Sequence, residues 1–424
     1  MAIHGANREG KLTATVVCWI LGNGCLFPWY SMVTSFDYFG DIFPKYHPGR
    51  ILPLVCQPFA LGTFAILTYN VAKINTRRRN LLGYFIFFIG SLMVPVLDIA
   101  TSGEGGIGTY IGVCLISSAY GVANALVEGG LVGDLSLMCP EFMQSFLVGL
   151  SFAGALTSAL RLITKVAFEN SKNGLRKGAM MFFAISVLFE LLCLLLYAYI
   201  FPKLPIVKYY RAKAASEGSK TVSADLVAGG IQTLPSNQNL TPTLERWQAA
   251  EEDLKYMDRL SNKELFVQNM DFAITVLLIY VLSFSIFPGF LSEDTGKHGL
   301  GTWYGIVLIA TFNIWDLIGT YIPLIECLKL RSRKGLLITS LSRFLLIPCF
   351  YFTVKLGDQG WMIMLTSILG LTSGYLTVRV LTVAPKGYKG PEQNALGNFL
   401  VLFLAMGIFV GVTLDWLWLI GKGW

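Results

Sequence analysis

An all-α integral membrane protein with eleven transmembrane helices is the fold class this sequence predicts, on three observations. The chain is 54% hydrophobic and only 14% charged, whereas a soluble domain carries about 25% charged residues. Apolar runs of about 18 residues or more, long enough to cross a bilayer core as helix, recur with polar or Gly/Pro breaks between them. Lys and Arg then sort by side: roughly twenty of the 33 fall on one side of these runs and roughly eight on the other.

Each span has its own justification. The first, 13–39, follows a short polar N-terminus; it lacks the short apolar core and cleavage site of a signal peptide, so it is expected to stay as a span. The second, 50–72, is apolar but interrupted by Pro53 and Pro58. Lys73 and Arg77–Arg79 then form a basic loop before the third, 80–99. The fourth, 108–137, is long and rich in small residues, and the fifth, 142–168, carries Arg161 and Lys165. The sixth is 175–201, uninterrupted by Pro or basic residues beyond its first turns. After a long polar segment come the seventh, 268–291, the eighth, 299–327, the ninth, 335–355, the tenth, 359–384, and the eleventh, 394–420. Lys329–Lys334, and Lys386 with Lys389, mark the side shared with the N-terminus. The excess of basic residues makes that side cytoplasmic, and an odd number of spans puts the C-terminus outside.

Residues 203–264 are polar, rich in Ser, Thr, Gly and Pro at first and charged later. They read as a flexible cytoplasmic tether with an amphipathic helix near 244–260. The sequon at Asn239-Leu-Thr241 faces the cytosol in this topology and is ascribed to chance. The tether divides the chain into a six-helix bundle over 1–201, a loop over 202–266 and a five-helix bundle over 267–424. Phe27-Pro28 near the start of one half and Phe287-Pro288 near the start of the other suggest a major-facilitator-like 6+5 pseudo-repeat around a central cavity.

Polar groups inside the spans locate the candidate site. Asn313, Asp316 and Thr320 recur at helical spacing and share one face of the eighth span. A carboxylate at mid-span costs roughly 2.5–3.5 kcal/mol on insertion scales, so that face should meet protein or water rather than lipid. In the fourth span Gly121, Asn124 and Glu128 share a face, and Gly129 and Gly133 have the spacing that lets a neighbouring helix approach. Glu128 is either a structural acid paired with Arg343 or Arg161, or part of a substrate or proton site. Pro28 removes a backbone donor ahead of Trp29 and Tyr30, and Trp29 offers a flat apolar surface for packing or for a ligand. Arg343 and Arg379 are structural or gating candidates that reach the span ends by snorkelling. Asp37, Asp134, Asp271 and Asp415 lie near span ends as solvated groups or local partners.

Other function classes find no support. The eight Cys form no CxxC pair and read as small buried hydrophobes. His4, His47 and His298 lie outside the apolar runs, so no metal site and no cofactor is expected. HExxH, Walker, GxSxG and intramembrane GxGD patterns are missing, so no enzyme is indicated. The net charge of +7 resides in loops, where it orients the protein rather than binding nucleic acid.

At LGNGCLFPWYSM, EGGLVGDLSLMCPEFMQSFLVG, FPGFL, FNIWDLIG, SRFLLIP and APKGYKGPEQNALGN the chain resembles the equilibrative nucleoside transporters (solute carrier family 29) of the plant type, from the first span to the last. The resemblance implies alternating access of nucleosides across a membrane, facilitative or as proton symport. It implies a site lined by Leu26, Trp29, Tyr30 and Val33 of the first helix, Asn124 and Glu128 of the fourth, and Asn313, Asp316 and Thr320 of the eighth. Leu26 and Trp29 would wall the nucleobase, Glu128 would touch its edge, and Asn313 and Asp316 would lie near the ribose. Glu128 and Asp316 are the proton-coupling candidates. The family often has Asn, Gln and Arg where this chain has Tyr30, Glu128 and Thr320, so Asp316 lacks the partner the family supplies. The partners implied are a nucleoside, protons and the lipid bilayer, with the chain working as a monomer in the plasma membrane or, alternatively, the vacuolar membrane. Rival readings are a nucleobase or cationic amine transporter on the same scaffold, and a nucleoside receptor without flux.

The topology is checked by tags in the 203–264 loop and after Trp424. Opposite accessibility in sealed cells is expected; labelling of both from one side would refute eleven spans.

Overall fold

The computed structural model describes residues 2–69, 76–136, 138–212, 262–293, 299–330, 332–386, 388 and 390–420. The amphipathic stretch at 244–260, the Asn239 sequon, most of the tether and Trp424 lie outside them. Among the described residues eleven helices are long and apolar enough to cross a membrane: Gly10–Thr34, Pro48–Leu67, Thr76–Ala100, Ile107–Leu135, Glu141–Phe168, Gly174–Lys203, Met270–Glu293, Gly301–Tyr321, Arg333–Leu356, Gln359–Val383 and Phe399–Leu419. Each overlaps one of the eleven predicted runs. The second and fifth are continuous helices despite Pro53, Pro58, Arg161 and Lys165, because neighbouring spans satisfy groups that lipid could not.

The Phe-Pro pairs do not behave as a repeat. Pro28 sits inside the continuous helix Ala2–Thr34, where the Ser31 hydroxyl bonds the Phe27 carbonyl at 2.8 Å. In the seventh span the helix Met270–Phe284 has ended before Phe287-Pro288, whose peptide is cis, and a short helix, Gly289–Glu293, follows. The likeness was one of composition alone.

Two helix pairs pack closely enough to need glycine. Where the first span meets the fifth, a Cβ on Gly22 would strike the Phe146 carbonyl, and one on Gly149 the Trp19 carbonyl. Where the eighth meets the tenth, Gly319, Gly370 and Gly374 abut the backbones of Leu371, Phe312 and Asp316. Small residues of this kind let backbones touch in a solvent that gives no hydrophobic drive for association. The Gly129/Gly133 expectation is met only in part. Gly129 lies against the Arg79 guanidinium and Phe64, but a Cβ on Gly133 would meet nothing within 4 Å. The fourth span instead approaches the second at Gly121, beside the Cys56 carbonyl.

The first six spans contact one another extensively, as do the seventh to eleventh, and the two sets meet mainly where the fifth packs on the eighth and the second on the eleventh. Arg343 and Arg379 do not snorkel; each is 4% exposed. Arg343 donates to Thr372 Oγ1, Ser283 Oγ and the carbonyls of Ile279 and Leu369 at 2.9–3.2 Å, tying the seventh, ninth and tenth spans together. Arg379 donates twice to the Leu330 carbonyl, at 2.6 and 3.2 Å. Backbone acceptors nearby make the interior the better place for both groups.

Gly374→Val places a side chain against the Asp316 backbone and is expected to destabilise the detergent-extracted protein by about 1–3 kcal/mol. Gly133→Ala should leave its thermal unfolding unchanged. Equal melting of both variants would contradict the close-packing assignment.

Candidate functional site

The site is built where the first, fifth and eighth spans converge. Gly154 of the fifth span leaves the room: a Cβ there would lie 2.9 Å from the Asn313 amide and 3.1 Å from the Tyr30 ring. Tyr30 and Asn313, from the two different sets of spans, therefore approach each other across a missing side chain. Asn313 is 2% exposed and donates to Ser158 Oγ at 2.9 Å, so the fifth span also fixes the orientation of its amide. One helical turn on, Asp316 lies near Ser373 of the tenth span and in electrostatic range of Arg343. Thr320 bonds back to the Leu317 carbonyl at 2.7 Å, which leaves it turned to its own helix rather than toward Asp316.

The opposite wall comes from the fourth span. Asn124 donates to Glu128 at 3.1 Å and accepts from the Cys25 thiol at 3.4 Å, so one amide orients both the acid and the first span. Glu128 pairs with neither arginine named for it in the structural alternative. Arg161 contacts both oxygens of Asp37 at 3.0 Å, and Arg343 donates to the neutral groups described above. Tyr280 of the seventh span stands within electrostatic range of Asp316 and Glu128 at once. The two acids, on the two sets of spans, thus both lie within electrostatic range of Tyr280, with Tyr30 also near Asp316. Leu26, Trp29 and Tyr30 are half-buried beside it. Val33 is fully buried and packs in the core rather than presenting a surface.

Gly154, Ser158, Tyr280 and Ser373 escaped the sequence reading. Each is a common residue in a span, and only its neighbours on other helices give it a role. The signal available was periodicity: Gly154 and Ser158 share a helix face with Arg161, whereas Tyr280 and Ser373 share none with a charged group.

One end of the molecule is tied across the two sets. Arg50, fully buried at the start of the second span, contacts Glu293 at 3.0 Å and Asp415 at 3.1 Å. Glu293 also accepts from the Gly49 amide at 2.8 Å and meets His47 at 3.0 Å. Asp415 accepts from the Phe290 amide at 3.1 Å. The clasp needs Gly289, where any Cβ would collide with Asp415 and Arg50. Beside it Lys165, paired with Asp37 at 3.1 Å, donates to the Thr302 carbonyl at 2.7 Å and lies over the Trp303 ring. The Trp303 indole donates to Glu169 at 3.0 Å. At the opposite end Lys11 pairs with Glu141 and Arg211 with Asp134 within the first set and its trailing helix. Arg333 faces Asp271, and Asn269 donates to Tyr388, within the second.

The family model described as nucleoside transporter matches residues 110–420. The chain is 63% identical to equilibrative nucleotide transporter 3 of Arabidopsis thaliana, covering 98% of this chain and 96% of that one. It is 59% identical to equilibrative nucleotide transporter 5 of the same plant, with the same coverage. Among solved structures the fold is similar to a partially occluded inward-open conformation of the xylose transporter XylE from E. coli. That match has a TM-score of 0.62 and 13% identity, and it covers 97% of this chain and 92% of the other. A major-facilitator fold with a family match over most of its length makes this chain a member of the nucleoside transporter family, a transporter and not an enzyme.

Proposed function

We propose that the protein carries nucleosides across a membrane by alternating access, binding them between Glu128 and the Asn313–Asp316 pair. The observation that carries this reading is that Glu128 and Asp316, from the two sets of spans, both lie within electrostatic range of Tyr280, while Arg50 clasps one end of the molecule. The bundle over 1–201 and the bundle over 267–424 rock about that region, joined by the loop over 202–266. By the distribution of Lys and Arg, the clasped end faces outside and the Arg379 end faces the cytoplasm, so this state is closed to the outside. The chain works as a monomer in the plasma membrane.

Residue types support the assignment of roles. Leu26 and Trp29 form an apolar wall for the base. Glu128, oriented by Asn124, meets the polar edge of the base. Asn313 and Asp316 take the ribose hydroxyls, which a carboxylate accepts strongly. Protons accompany the substrate, and Glu128 and Asp316 are the acids at the site itself. The Arabidopsis relatives are named for nucleotides, and a nucleotide is the second reading. Two acids at the site argue against a phosphate, which needs a cationic partner, and Arg343 already donates to four neutral groups.

Radiolabelled uptake into proteoliposomes, competed with nucleosides, nucleotides, nucleobases and cationic amines, tests the substrate class. Nucleosides should compete best; displacement by nucleotides alone would favour the second reading, and binding without uptake would mark a receptor. Asp316→Asn should weaken ribonucleoside recognition by about 1.5–3 kcal/mol, with far less effect on analogues lacking sugar hydroxyls. Equal losses would make Asp316 a gating residue. Trp29→Ala should cost about 1–3 kcal/mol in binding and Trp29→Phe much less.

A further inference from the structure

The sixth span contains an acid that neither the site nor the clasp uses. Glu190 is completely buried, and neither of its carboxyl oxygens has a hydrogen-bond partner. Among the described residues it lies within electrostatic range of groups that are neutral in character: Cys25 of the first span, Tyr84 of the third, Tyr120 of the fourth and Cys193 of its own helix. All four have other partners. Tyr84 donates to the Leu21 carbonyl at 2.7 Å, Tyr120 shares a bond with Ser91 at 3.1 Å, and Cys193 reaches the Ile20 carbonyl at 3.8 Å. Cys25 donates to Asn124, the amide that holds Glu128. One turn before Glu190, Ser186 is bonded to Ser31 of the first span at 3.0 Å.

An ionised carboxylate in such surroundings has no hydrogen-bond donor to stabilise its charge, and burying it so is costly. A structural acid would be expected to hold a donor, and this one holds none. Its neighbour Cys25 is also the contact of Asn124, so the packing around Glu190 continues directly into the packing around Glu128. We infer that Glu190 is a proton-binding site placed behind the substrate site, and that the proton it carries is the one through which a pH gradient acts on transport. The proton bound from the acidic side neutralises Glu190 and permits the close packing of the first, third, fourth and sixth spans seen here. Its release to the other side requires those spans to part. Cys25 and Asn124 link that packing to Glu128. The inference rests on the transporter reading above.

The test uses the full-length protein in proteoliposomes, with labelled nucleoside measured both in exchange without a gradient and in net accumulation under an acid-outside gradient. With one-to-one coupling a gradient of about one pH unit supports about tenfold accumulation. Glu190→Gln, which mimics the protonated acid permanently, should keep exchange and lose accumulation. Accumulation equal to that of the unmodified protein would overturn the proposal. So would an unmodified protein that exchanges nucleoside but never responds to the gradient, although the transporter reading would then survive. Failure of the unmodified protein to exchange at all would instead defeat the transporter reading. Should Glu190→Gln fail to fold, infrared spectroscopy decides the matter. The unmodified protein should show the carbonyl stretch of a buried protonated carboxyl that disappears in alkali and is shifted in Glu190→Asp. A spectrum in which Glu190→Asp leaves every protonated-carboxyl band in place would overturn the assignment.

Discussion

The bilayer core offers no water to a buried charge, and the placement of this protein's polar groups follows from that constraint. Arg50 and Arg161 are fully buried, and Arg343 and Arg379 nearly so, yet each reaches carboxylates, hydroxyls or backbone carbonyls supplied by other segments of the chain. Every such bond fixes one helix against another. The ion pairs of Arg50 tie the second span to Glu293 and Asp415, and Lys165 ties the fifth span to the start of the eighth. Breaking the clasp in lipid would strand charges, whereas water admitted from outside could solvate them. A clasp at an aqueous face can therefore open and close where one at mid-membrane could not.

Glycine contacts complete the arrangement. They join the first span to the fifth and the eighth to the tenth at backbone distance, so Tyr30 and Asn313 ride on stiff helix pairs. The site forms where one pair meets the other at Gly154. Rocking of the two sets then changes distances across the site while the first span stays paired with the fifth and the eighth with the tenth. Asn124 adds a second linkage, since one side chain contacts both Cys25 and Glu128.

All eleven spans were legible from the sequence, because hydropathy over about 20 residues reports the bilayer directly. Glu128, Asn313 and Asp316 stood out through the cost of a polar group at that depth. Glu190 carries the same signal within the run 175–201, with Ser186 one turn before it, and was passed over. The Arg50 clasp was not legible: its acids come from Glu293 and Asp415, far off in the chain, and Arg50 itself stood at the first residue of the second run. Arg343 and Arg379 were expected at the membrane surface because snorkelling is the local solution. Acceptors such as Ser283, Thr372 and the Leu330 carbonyl make burial the better one, and only the tertiary packing reveals them. The Phe-Pro pairs misled for the converse reason, as identical dipeptides took different backbone paths.

The central claim is that the Asp415 end closes and opens around a site between the two sets of spans. Spin labels at Lys172→Cys and Thr302→Cys, on exposed positions either side of the Lys165 contact, measure it directly once the eight native cysteines are replaced. Electron-electron double resonance in lipid should show a short distance matching the clasped state and a second, longer one. The balance between them should shift when nucleoside is added and move wholly to the longer distance in Arg50→Ala. A single distance, unchanged by nucleoside and by loss of Arg50, would contradict alternating access at this end.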